Sequence, residues 1–413
     1  MAEPHHTHAE TNPEQPVAPH HRRRLQRDRR VPTTITILAF IFVAGLGYVA
    51  GALNTGALSS KLNGLTGTKD LDLSAVQETY KALAQNFDGN LDQKKLIEGA
   101  NKGLVNAAGD QYTIYMNSQE STAFDDSLTG NIGGGIGVEL GLRNNVPTVL
   151  RVLQNNPAEK AGVEVNDIIT QVNGASTEGK ALNDVVTSIR GDVDTTVKLT
   201  VNRDGEQKEF NITRAQVNNP SAYGEVKNGV GILTISRFDN DTGSLARAVA
   251  TTFKQQNVKG VVLDLRGNGG GYVTAAQEVA GIWLDHQIVT TERKGGKVTD
   301  ELQSTGTPIL NGVPTVILVN ESSASASEIV SGALHDHKVA TLIGHTTFGK
   351  GSVQKLINLS DDALLKVTVA RWYTPNGVNI SEKGITPDKT VIRSADDINA
   401  GRDPQLDAAL ASF

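Results

Sequence analysis

The sequence contains no cysteine, and this absence removes several classes of chemistry at once. Without thiols there is no disulfide, no thiolate metal site and no cysteine nucleophile. Histidine is also scarce in the body of the chain, because five of the nine histidines fall within the first 21 residues. The remaining four are His286, His335, His337 and His345. A folded active site therefore has few histidines from which to take a general base.

An excess of positive charge is lacking as well. The chain has 39 Lys and Arg against 45 Asp and Glu, a net charge of -6, so it presents no broad basic field for nucleic acid. Its 413 residues predict two or three domains with ample volume for a buried core.

A long apolar run is present near the N-terminus. The stretch "TITILAFIFVAGLGYVAGAL", residues 34–53, carries no charge over a length that spans a bilayer as a helix. Six arginines precede it, which predicts a cytoplasmic tail before the span and an extracytoplasmic body after it. The alternative is a cleaved signal peptide, since "AGA" at 50–52 resembles a cleavage site. The long polar tail and the length of the run favour an uncleaved anchor in the cell membrane.

Hydrophobic patterning divides the rest of the chain. Two amphipathic helices are predicted between about 70 and 109, then a β-rich module of short strands, then buried strands alternating with helices, which is typical of a mostly parallel α/β layer. We assign a basic tail (1–32), a transmembrane helix (33–53), a linker (54–69), an N-terminal helical region (70–128), an inserted β-rich module (129–216), an α/β core (217–395) and a C-terminal segment (396–413).

A serine-rich stretch, "SSASASEIVSGALHD", follows the predicted strand "VPTVILVN". A strand-to-helix junction exposes a side chain at the carboxyl end of a sheet, where the unpaired N–H groups of the helix can stabilise an oxyanion. Ser325 and Glu328 also fit a capping box, in which the serine merely caps the helix. Taken alone, this feature favours the cap.

A lysine between glycines follows in "TTFGKGSVQ". Residues 344–350 fit the phosphate-loop spacing G-x-x-x-x-G-K, but Gly351 stands where Ser or Thr should hold magnesium, and no clear helical face follows. The run "GNGGG" at 267–271 likewise lacks the third glycine of the dinucleotide fingerprint. We therefore interpret the phosphate-loop match as a coincidence, and the glycine run gives little support to a dinucleotide site.

An alternative to the phosphate loop is that Lys350 acts as a general base for a serine. His335 lies ten residues from Ser325 along the predicted helix, about 15 Å, which is too far to take the hydroxyl proton. His345 is not excluded in this way. A lysine base needs apolar burial to bring its pKa from about 10.4 toward 7–8. A strand here would place Lys350 and Gln354 on one face, where Gln354 could orient the amine.

These motifs together resemble the carboxyl-terminal processing proteases, which are membrane-associated or exported PDZ serine proteases with a Ser-Lys dyad. The resemblance covers about residues 71–391 and is carried by "SASASEI" with "TFGKGSVQ", "LDLRGNGGG", "GIGVEL", "GDQYTIYM" and "YTPNGVNISEKGITPD". Two departures are small: "DQYT" replaces the more usual Asp-Pro-Tyr-Thr, which should leave catalysis untouched, and Gly267 stands where the family often has Asn.

The resemblance implies a role for each site residue. Ser325 is the expected nucleophile, Lys350 its base and Gln354 the positioning partner of the lysine. The backbone N–H groups of Gly271 and Ala326 would form the oxyanion hole. No metal or organic cofactor is implied.

The resemblance also implies that the β-rich module is a PDZ domain. The stretch "GGGIGVEL" would be a glycine loop whose N–H groups capture a terminal carboxylate while the strand edge pairs with an extended peptide. A glycine-rich hairpin is the alternative. The expected peptide-binding residues are Gly134, Gly135, Ile136, Gly137 and Val138.

Three functions follow from different classes. We favour a membrane-anchored, extracytoplasmic serine endopeptidase that cuts proteins near their free C-termini, with an adaptor or a homo-oligomer compatible with the sequence and no nucleic-acid partner. The others are an inactive peptide-binding scaffold and a nucleotide-binding protein that uses residues 344–350.

Overall fold

The computed structural model describes residues 71–413, which divide into two compact units between Leu91 and Asp92. The predicted tail, transmembrane helix and linker lie outside the described residues. Within residues 71–413, no helix is long and apolar enough to cross a membrane. The first unit contributes helix α1, Ser74–Asn86.

The second unit begins with a small helical region. It contains α2 (Gln93–Asn106), strand β1 (Ile114–Met116) and α3 (Ser118–Thr129). The side chain of Asp92 caps α2, and Asn117 and Glu120 form a capping box on α3. The two helices expected before residue 109 are present. Helix α3 falls in the region assigned as helical (70–128) but was not predicted as a separate helix, because few apolar residues mark its sequence, "SQESTAFDDSLT".

The β-rich module is an antiparallel sheet with short helices. Its strands are β2 (Gly134–Gly135), β3 (Val138–Arg143), β4 (Val146–Val152), β5 (Ile168–Val172), β6 (Ala175–Ser176), β7 (Thr196–Arg203), β8 (Glu206–Thr213) and β9 (Ala215–Gln216), and its helices are α4 (Pro157–Ala161) and α5 (Leu182–Ile189). The main sheet has the order β3-β4-β5-β7-β8. Alternate residues of β7, Val197, Leu199 and Val201, are fully buried in the core of the module, as the period of a strand requires.

The α/β core contains ten strands and three longer helices. The strands are β10 (Ala222–Lys227), β11 (Val230–Ile235), β12 (Gly260–Asp264), β13 (Ile288–Lys294), β14 (Lys297–Gln303), β15 (Thr315–Val319), β16 (Ala340–Gly344), β17 (Ser352–Asn358), β18 (Leu364–Tyr373) and β19 (Lys389–Thr390). The helices are α6 (Thr242–Gln255), α7 (Val273–Ala280) and α8 (Ala326–Asp336), followed by the short α9 (Ala395–Asn399) and α10 (Pro404–Leu410). A single 3-10 turn, Ser360–Asp362, joins β17 to β18.

These strands form two sheets of different character. The first has the order β10-β11-β12-β15-β16-β19 and is parallel except for β10, in agreement with the predicted α/β layer. The second, built from β1, β13, β14, β17 and β18, is antiparallel and was not predicted. Its strands are partly exposed and polar, so they lack the continuous apolar runs that mark the first sheet.

The first sheet positions four loops at one edge. Strands β11, β12, β15 and β16 are parallel neighbours, so the loops that follow them meet at their shared carboxyl edge. The core beneath them includes the buried side chains of Phe238, Leu265, Ile317 and Trp283. This edge carries the candidate site.

Candidate active site

Ser325 lies at the junction between β15 and α8, immediately before the first helical residue. Its backbone has φ 55° and ψ −114°, a conformation that is strained for any residue except glycine. Its N–H donates to Glu328 Oε2 at 2.9 Å, so the carboxylate of Glu328 reaches back to hold the residue before the helix. The serine is half-buried at the sheet edge.

The glycine turn after β12 packs against this junction. A Cβ on Gly270 would lie 2.7 Å from the Cβ of Ser325 and 3.0 Å from the backbone nitrogen of Ala326. A Cβ on Gly271, which has φ +146°, would lie 2.0 Å from the carbonyl oxygen of Phe238. A side chain at Gly270 would push the turn away from the start of α8, and one at Gly271 would push the turn away from the backbone of Phe238.

Two backbone donors remain unused here. Among the residues that the structure describes, neither the N–H of Gly271 nor that of Ala326 has a hydrogen-bond acceptor. The isolated bridge between Phe238 and Gly271 uses the neighbouring groups, with Phe238 N–H donating to Gly270 O and Tyr272 N–H donating to Phe238 O. Free donors beside a nucleophile are what an oxyanion hole requires.

Lys350 lies in the loop between β16 and β17. Strand β17 begins at Ser352, so Lys350 precedes the strand, and the expectation that Lys350 and Gln354 share one strand face is wrong in its premise. A β-bulge between Val353 and Gln354 further alters the alternation. The backbone carbonyl of Lys350 accepts a hydrogen bond of 2.6 Å from Trp372 Nε1, which fixes the loop on the second sheet.

The surroundings of Lys350 favour its neutral form. Burial lowers the pKa of its amine from the ordinary value of 10.5, and the positive charge of Lys366 lowers it further, while the charge of Glu328 opposes the shift. Its Nζ lies 5.8 Å from the ring centroid of Tyr112. A lysine with a lowered pKa is suited to accept a proton from a serine hydroxyl.

Gln354 lines the same pocket as Lys350 but forms no hydrogen bond with it. Its Nε2 donates to Ser352 Oγ at 2.8 Å and to Thr368 Oγ1 at 3.3 Å. The hydroxyl of Thr368 in turn donates to Asp110 Oδ2 at 2.5 Å. Gln354 is therefore held by the second sheet and by the turn before β1.

One pocket of about 470 Å³ collects most of the predicted site. Ser325, Lys350, Gln354 and Gly271 all line it. Ala326 does not line the pocket, because its side chain is fully buried beneath the start of the helix. Its expected role needs only its backbone N–H. The other walls come from the unpredicted helix α3 and the antiparallel sheet, and include Phe124, Leu128, Thr290, Glu292, Leu356, Lys366 and Trp372.

Two acidic residues are important to the site in ways that the sequence did not reveal. Glu328 is fully buried and accepts hydrogen bonds from the loop that carries Lys350, whereas the sequence suggested only a helix cap. Asp110 belongs to the motif "GDQYT" and accepts from the hydroxyls of Thr113 and Thr368, both at 2.5 Å. In the sequence, the motif "GDQYT" could have pointed to Asp110. No sequence feature indicated that Glu328 would be buried.

The four histidines within residues 71–413 do not line this pocket. His335 Nε2 is 3.1 Å from an oxygen of Asp388, and His337 Nε2 is 2.7 Å from the carbonyl of Ile288. The side chain of His345 is 53% exposed and contacts the carbonyl of Thr346, and His286 is paired with its neighbour. In residues 71–413 there is no group of three or more His, Cys, Asp or Glu placed to hold a metal ion.

The phosphate-loop interpretation of residues 344–350 is wrong. The lysine is followed by strand β17, whereas a phosphate loop must lead into a helix whose N-terminus faces the phosphates.

A second, smaller pocket of about 70 Å³ lies between β3 and α5 in the β-rich module. Its lining includes Gly135, Ile136, Gly137 and Val138. Gly134 is placed differently: its carbonyl accepts from Gly191 N–H, and a Cβ there would lie 2.1 Å from Gly191 O. Gly134 is therefore a packing residue at the base of the loop.

The loop of this pocket has free donors. The carbonyls of Ile136 and Gly137 accept from Ala158 N–H (2.8 Å) and Leu153 N–H (2.9 Å). Their N–H groups have no acceptor within the described part of the chain. Such a loop, beside the edge strand β3, is suited to hold a carboxylate and an extended peptide.

The protein families that match this chain include the residues of both pockets. Protein-family models match residues 229–391 (peptidase family S41), 134–213 (PDZ domain) and 48–120 (activating protease CtpB N-terminal domain). The first includes Ser325 and Lys350, and the second includes the glycine loop.

Similar proteins were found at the level of sequence and of structure. A probable CtpA-like serine protease of Staphylococcus aureus (strain MSSA476) is 36% identical over 364 residues, 87% of this chain and 70% of the relative. A protein of the same description from Staphylococcus haemolyticus (strain JCSC1435) is 34% identical over 360 residues, 86% and 72% of the two chains. The crystal structure of a putative S41 protease from Bacteroides fragilis NCTC 9343 has the same fold, with a TM-score of 0.58 and 18% identity over 84% of this chain and 97% of that chain.

Proposed function

This chain belongs to the carboxyl-terminal processing proteases of peptidase family S41, and we propose that it is a membrane-anchored, extracytoplasmic endopeptidase with a Ser-Lys dyad. It is a serine-type peptidase with a PDZ domain. The observation that carries the finer proposal is that Ser325, with a strained backbone, lines the same pocket as Lys350, whose pKa is lowered by burial.

The proposed reaction begins with neutral Lys350. Its amine takes the proton of the Ser325 hydroxyl as Oγ attacks the scissile carbonyl carbon, and the N–H groups of Gly271 and Ala326 bind the oxyanion. When the intermediate collapses, the C–N bond breaks and the lysine ammonium gives its proton to the leaving amine. Lys350, neutral again, then takes a proton from the water whose oxygen attacks the acyl carbonyl carbon. As this second intermediate collapses, the acyl–Oγ bond breaks and the lysine ammonium gives that proton to Ser325 Oγ.

Substrate capture is proposed to occur on the PDZ domain. The free N–H groups of Ile136 and Gly137 would hold the terminal carboxylate, and β3 would pair with the last residues of the substrate. The two pockets belong to different sheets, so capture and cleavage are separate events. This arrangement favours unstructured C-termini, which can reach from one pocket to the other.

The membrane location is supported by sequence features alone. Six arginines precede the uncharged run at 34–53, and this asymmetry favours a cytoplasmic tail with the catalytic part on the other side. Protease added to wall-stripped intact cells should therefore digest the catalytic part. Its protection, with the N-terminal tail digested instead, would contradict the topology.

A fluorophosphonate probe, which bonds to an activated serine oxygen, tests the nucleophile. The detergent-solubilised full chain should be labelled once, and Ser325→Ala should be neither labelled nor active while keeping the wild-type unfolding curve. Ser322→Ala is the matched control, because Ser322 is an exposed serine of the same stretch. Full labelling of Ser325→Ala would contradict the assignment. Capture is tested separately, since a peptide with an amidated C-terminus should be cut more slowly than its free-acid twin.

A further inference from the structure

Lys366 is a second lysine in the active-site pocket, and the proposed reaction does not use it. It lies on β18, in register with Ile114 of β1 on one side and Leu356 of β17 on the other. Its side chain is half-buried and lines the pocket together with Ser325 and Lys350. A cation therefore faces the space that a substrate must enter.

Within the part of the chain that the structure describes, Lys366 has no anionic partner. No carboxylate of residues 71–413 lies within 4.0 Å of the Lys366 amine. Its Nζ lies 5.3 Å from the ring centroid of Phe124, a contact that compensates only part of the lost hydration. Consistent with this, burial lowers the pKa of the amine.

Three other largely buried cations of the same unit have polar partners, and one of these, Arg214, donates to the backbone carbonyls of Ile189 and Thr196. Arg266 binds Asp264 and Asp403 at 2.6 and 2.8 Å, and Arg203 binds Asp167 at 2.6 Å. Because desolvated charges normally carry a partner, an unpaired one in a binding pocket suggests that the partner arrives with the ligand.

Building on the proposed protease function, we propose that Lys366 forms a subsite for a carboxylate of the substrate close to the scissile bond. The carboxylate belongs either to an Asp or Glu side chain or to the C-terminus of the released segment. Among the described residues of the free enzyme, the amine contacts the aromatic face of Phe124 and lies close enough to Lys350 to affect its pKa. The bound substrate supplies the counter-ion in a pocket whose apolar walls, Phe124 and Leu356, strengthen the ion pair.

Charge elsewhere in the pocket restricts where such a carboxylate binds. Glu292 lines the same pocket and is in register with Trp372, six residues along β18 from Lys366. Six strand residues span about 20 Å, so the two opposite charges lie at different ends. Gln354 is in register with Thr368, only two residues from Lys366, which places the subsite at the end nearer to Gln354.

A different role would leave a different signature. The positive charge of Lys366 helps to lower the pKa of Lys350. If that were its sole role, replacing Lys366 would change the cleavage of all substrates by the same factor. A carboxylate subsite instead changes the preference between matched substrates.

The test compares peptides that differ in one charge. Peptides with Asp or Asn at each of the three positions on either side of the scissile bond are made with a free-acid or an amidated C-terminus. They are cut by the full-length wild type, Lys366→Gln, Lys366→Glu and the control Lys355→Gln. Lys355 is exposed and adjacent to Leu356, so it points to the opposite face of β17.

We expect the wild type to cut the Asp peptide about tenfold faster than the Asn peptide, in kcat/KM, at one position. Lys366→Gln should abolish this ratio, Lys366→Glu should invert it, and Lys355→Gln should preserve it. If the acid-to-amide ratio changes with Lys366 instead, the terminal carboxylate is the ligand. Any effect of amidation on the PDZ domain is common to all variants and cancels in this comparison.

Ratios that stay the same in Lys366→Gln and Lys366→Glu would overturn the subsite. Because each ratio compares two substrates on one protein, partial loss of folded enzyme does not alter it. Cleavage of the Asn peptides by the wild type shows that the protease function stands even when the subsite fails. Absence of cleavage of every peptide by the wild type would instead contradict the proposed function.

Discussion

The backbone N–H groups of Ser325 and Lys350 donate to the same atom, Oε2 of Glu328, each at 2.9 Å. The other oxygen of this carboxylate accepts from the Thr347 hydroxyl at 2.5 Å and from the Gly349 N–H at 2.7 Å. Glu328 is fully buried, so water does not compete for these bonds. One side chain thus fixes the separation between the turn of the candidate nucleophile and the loop of the candidate base.

We expect Glu328→Gln to impair both folding and catalysis. An amide of the same shape replaces one acceptor oxygen by a donor, which would face N–H or O–H donors and leave them unpaired. Two unpaired buried donors cost about 2–6 kcal/mol of unfolding free energy. The accompanying movement of Lys350 relative to Ser325 should lower kcat by about 100-fold or more. Urea unfolding and peptide turnover measure the two effects.

Glu321→Gln is the matched control for this substitution. Glu321 precedes the serine cluster, its side chain is 71% exposed, and it lies 4.0 Å from His345. Its replacement should change neither stability nor turnover measurably. Wild-type kcat in folded Glu328→Gln would mean that the shared carboxylate does not position the dyad.

The pH dependence of the wild type follows from the state of Lys350. Only the neutral amine accepts a proton, so kcat/KM should rise tenfold per pH unit below the pKa and become constant above it. Because burial and Lys366 lower that pKa, the midpoint of the profile should lie below pH 10.5. Lys350→Arg should be inactive at every pH, since a guanidinium stays charged. Substantial turnover by Lys350→Arg would exclude lysine as the base.

The lowered pKa of Lys350 should also make the unfolding free energy depend on pH, in a direction that can be derived. At pH values between the lowered native pKa of Lys350 and its ordinary value of 10.5, the unfolded chain binds a proton that the native protein does not. Lys350 therefore makes the unfolding free energy rise with pH across this window. Lys350→Met removes the contribution, so it should be more stable than the wild type at neutral pH by an amount that shrinks toward pH 10.5.

Denaturant unfolding at several pH values measures this difference. Because the charges of Lys350 and Lys366 repel each other, the difference also contains the loss of that repulsion in the variant, which acts in the same direction. Lys355→Met, at an exposed position, should give a difference that does not vary with pH. A constant difference for Lys350→Met as well would show that the lysine pKa is the same in the native and unfolded states.

The parts of the fold that the sequence predicted are those with strong local signals. Strands β12, β15 and β16 are short runs of buried aliphatic residues, so the parallel sheet could be inferred from periodicity. Helix α3 and the antiparallel sheet lack such runs. Their positions are determined by tertiary contacts, yet they provide more than one wall of the active-site pocket.

The site shows the same division. The motifs were sufficient to name Ser325 and Lys350, and both line one pocket. The roles of Glu328 and Asp110 depend on partners about 20 and about 260 residues away, Lys350 and Thr368. In the sequence, the capping box already gave Glu328 a role. No sequence feature therefore indicated that it also has distant hydrogen-bond partners.

His345→Ala tests whether a histidine serves as the base. The sequence left this residue open, whereas the structure places its exposed ring against Thr346 O and outside the pocket lining. We expect the variant to keep more than about half of the wild-type kcat/KM with an unchanged pH profile, as is usual for an exposed substitution. Near-complete loss of activity in a folded His345→Ala protein would favour a histidine base.

The last prediction concerns the hydrogen-bonded chain from Gln354 to Asp110. Gln354 Nε2 contacts Thr368 Oγ1, which donates to Asp110 Oδ2, and the N–H of Thr368 donates to the hydroxyl of Thr113 at 3.1 Å. Tyr112, in the same turn, lies beside the amine of Lys350. We therefore expect the turn at 110–113 to position Gln354 and Lys350, although "DQYT" departs from the usual motif.

Thr368→Val keeps the shape of the side chain and removes its hydroxyl, so Gln354 retains only Ser352 as a partner. We expect kcat to fall about 3- to 10-fold, a cost of one hydrogen bond, with KM and the midpoint of the pH profile unchanged. Thr368→Ser should restore most of kcat, and Thr341→Val, at an exposed strand position, should have no effect. Equal losses in kcat and in the fraction of folded protein would indicate a structural role alone. A fall confined to kcat, reversed by serine, is expected only if the hydroxyl holds Gln354 in its working position.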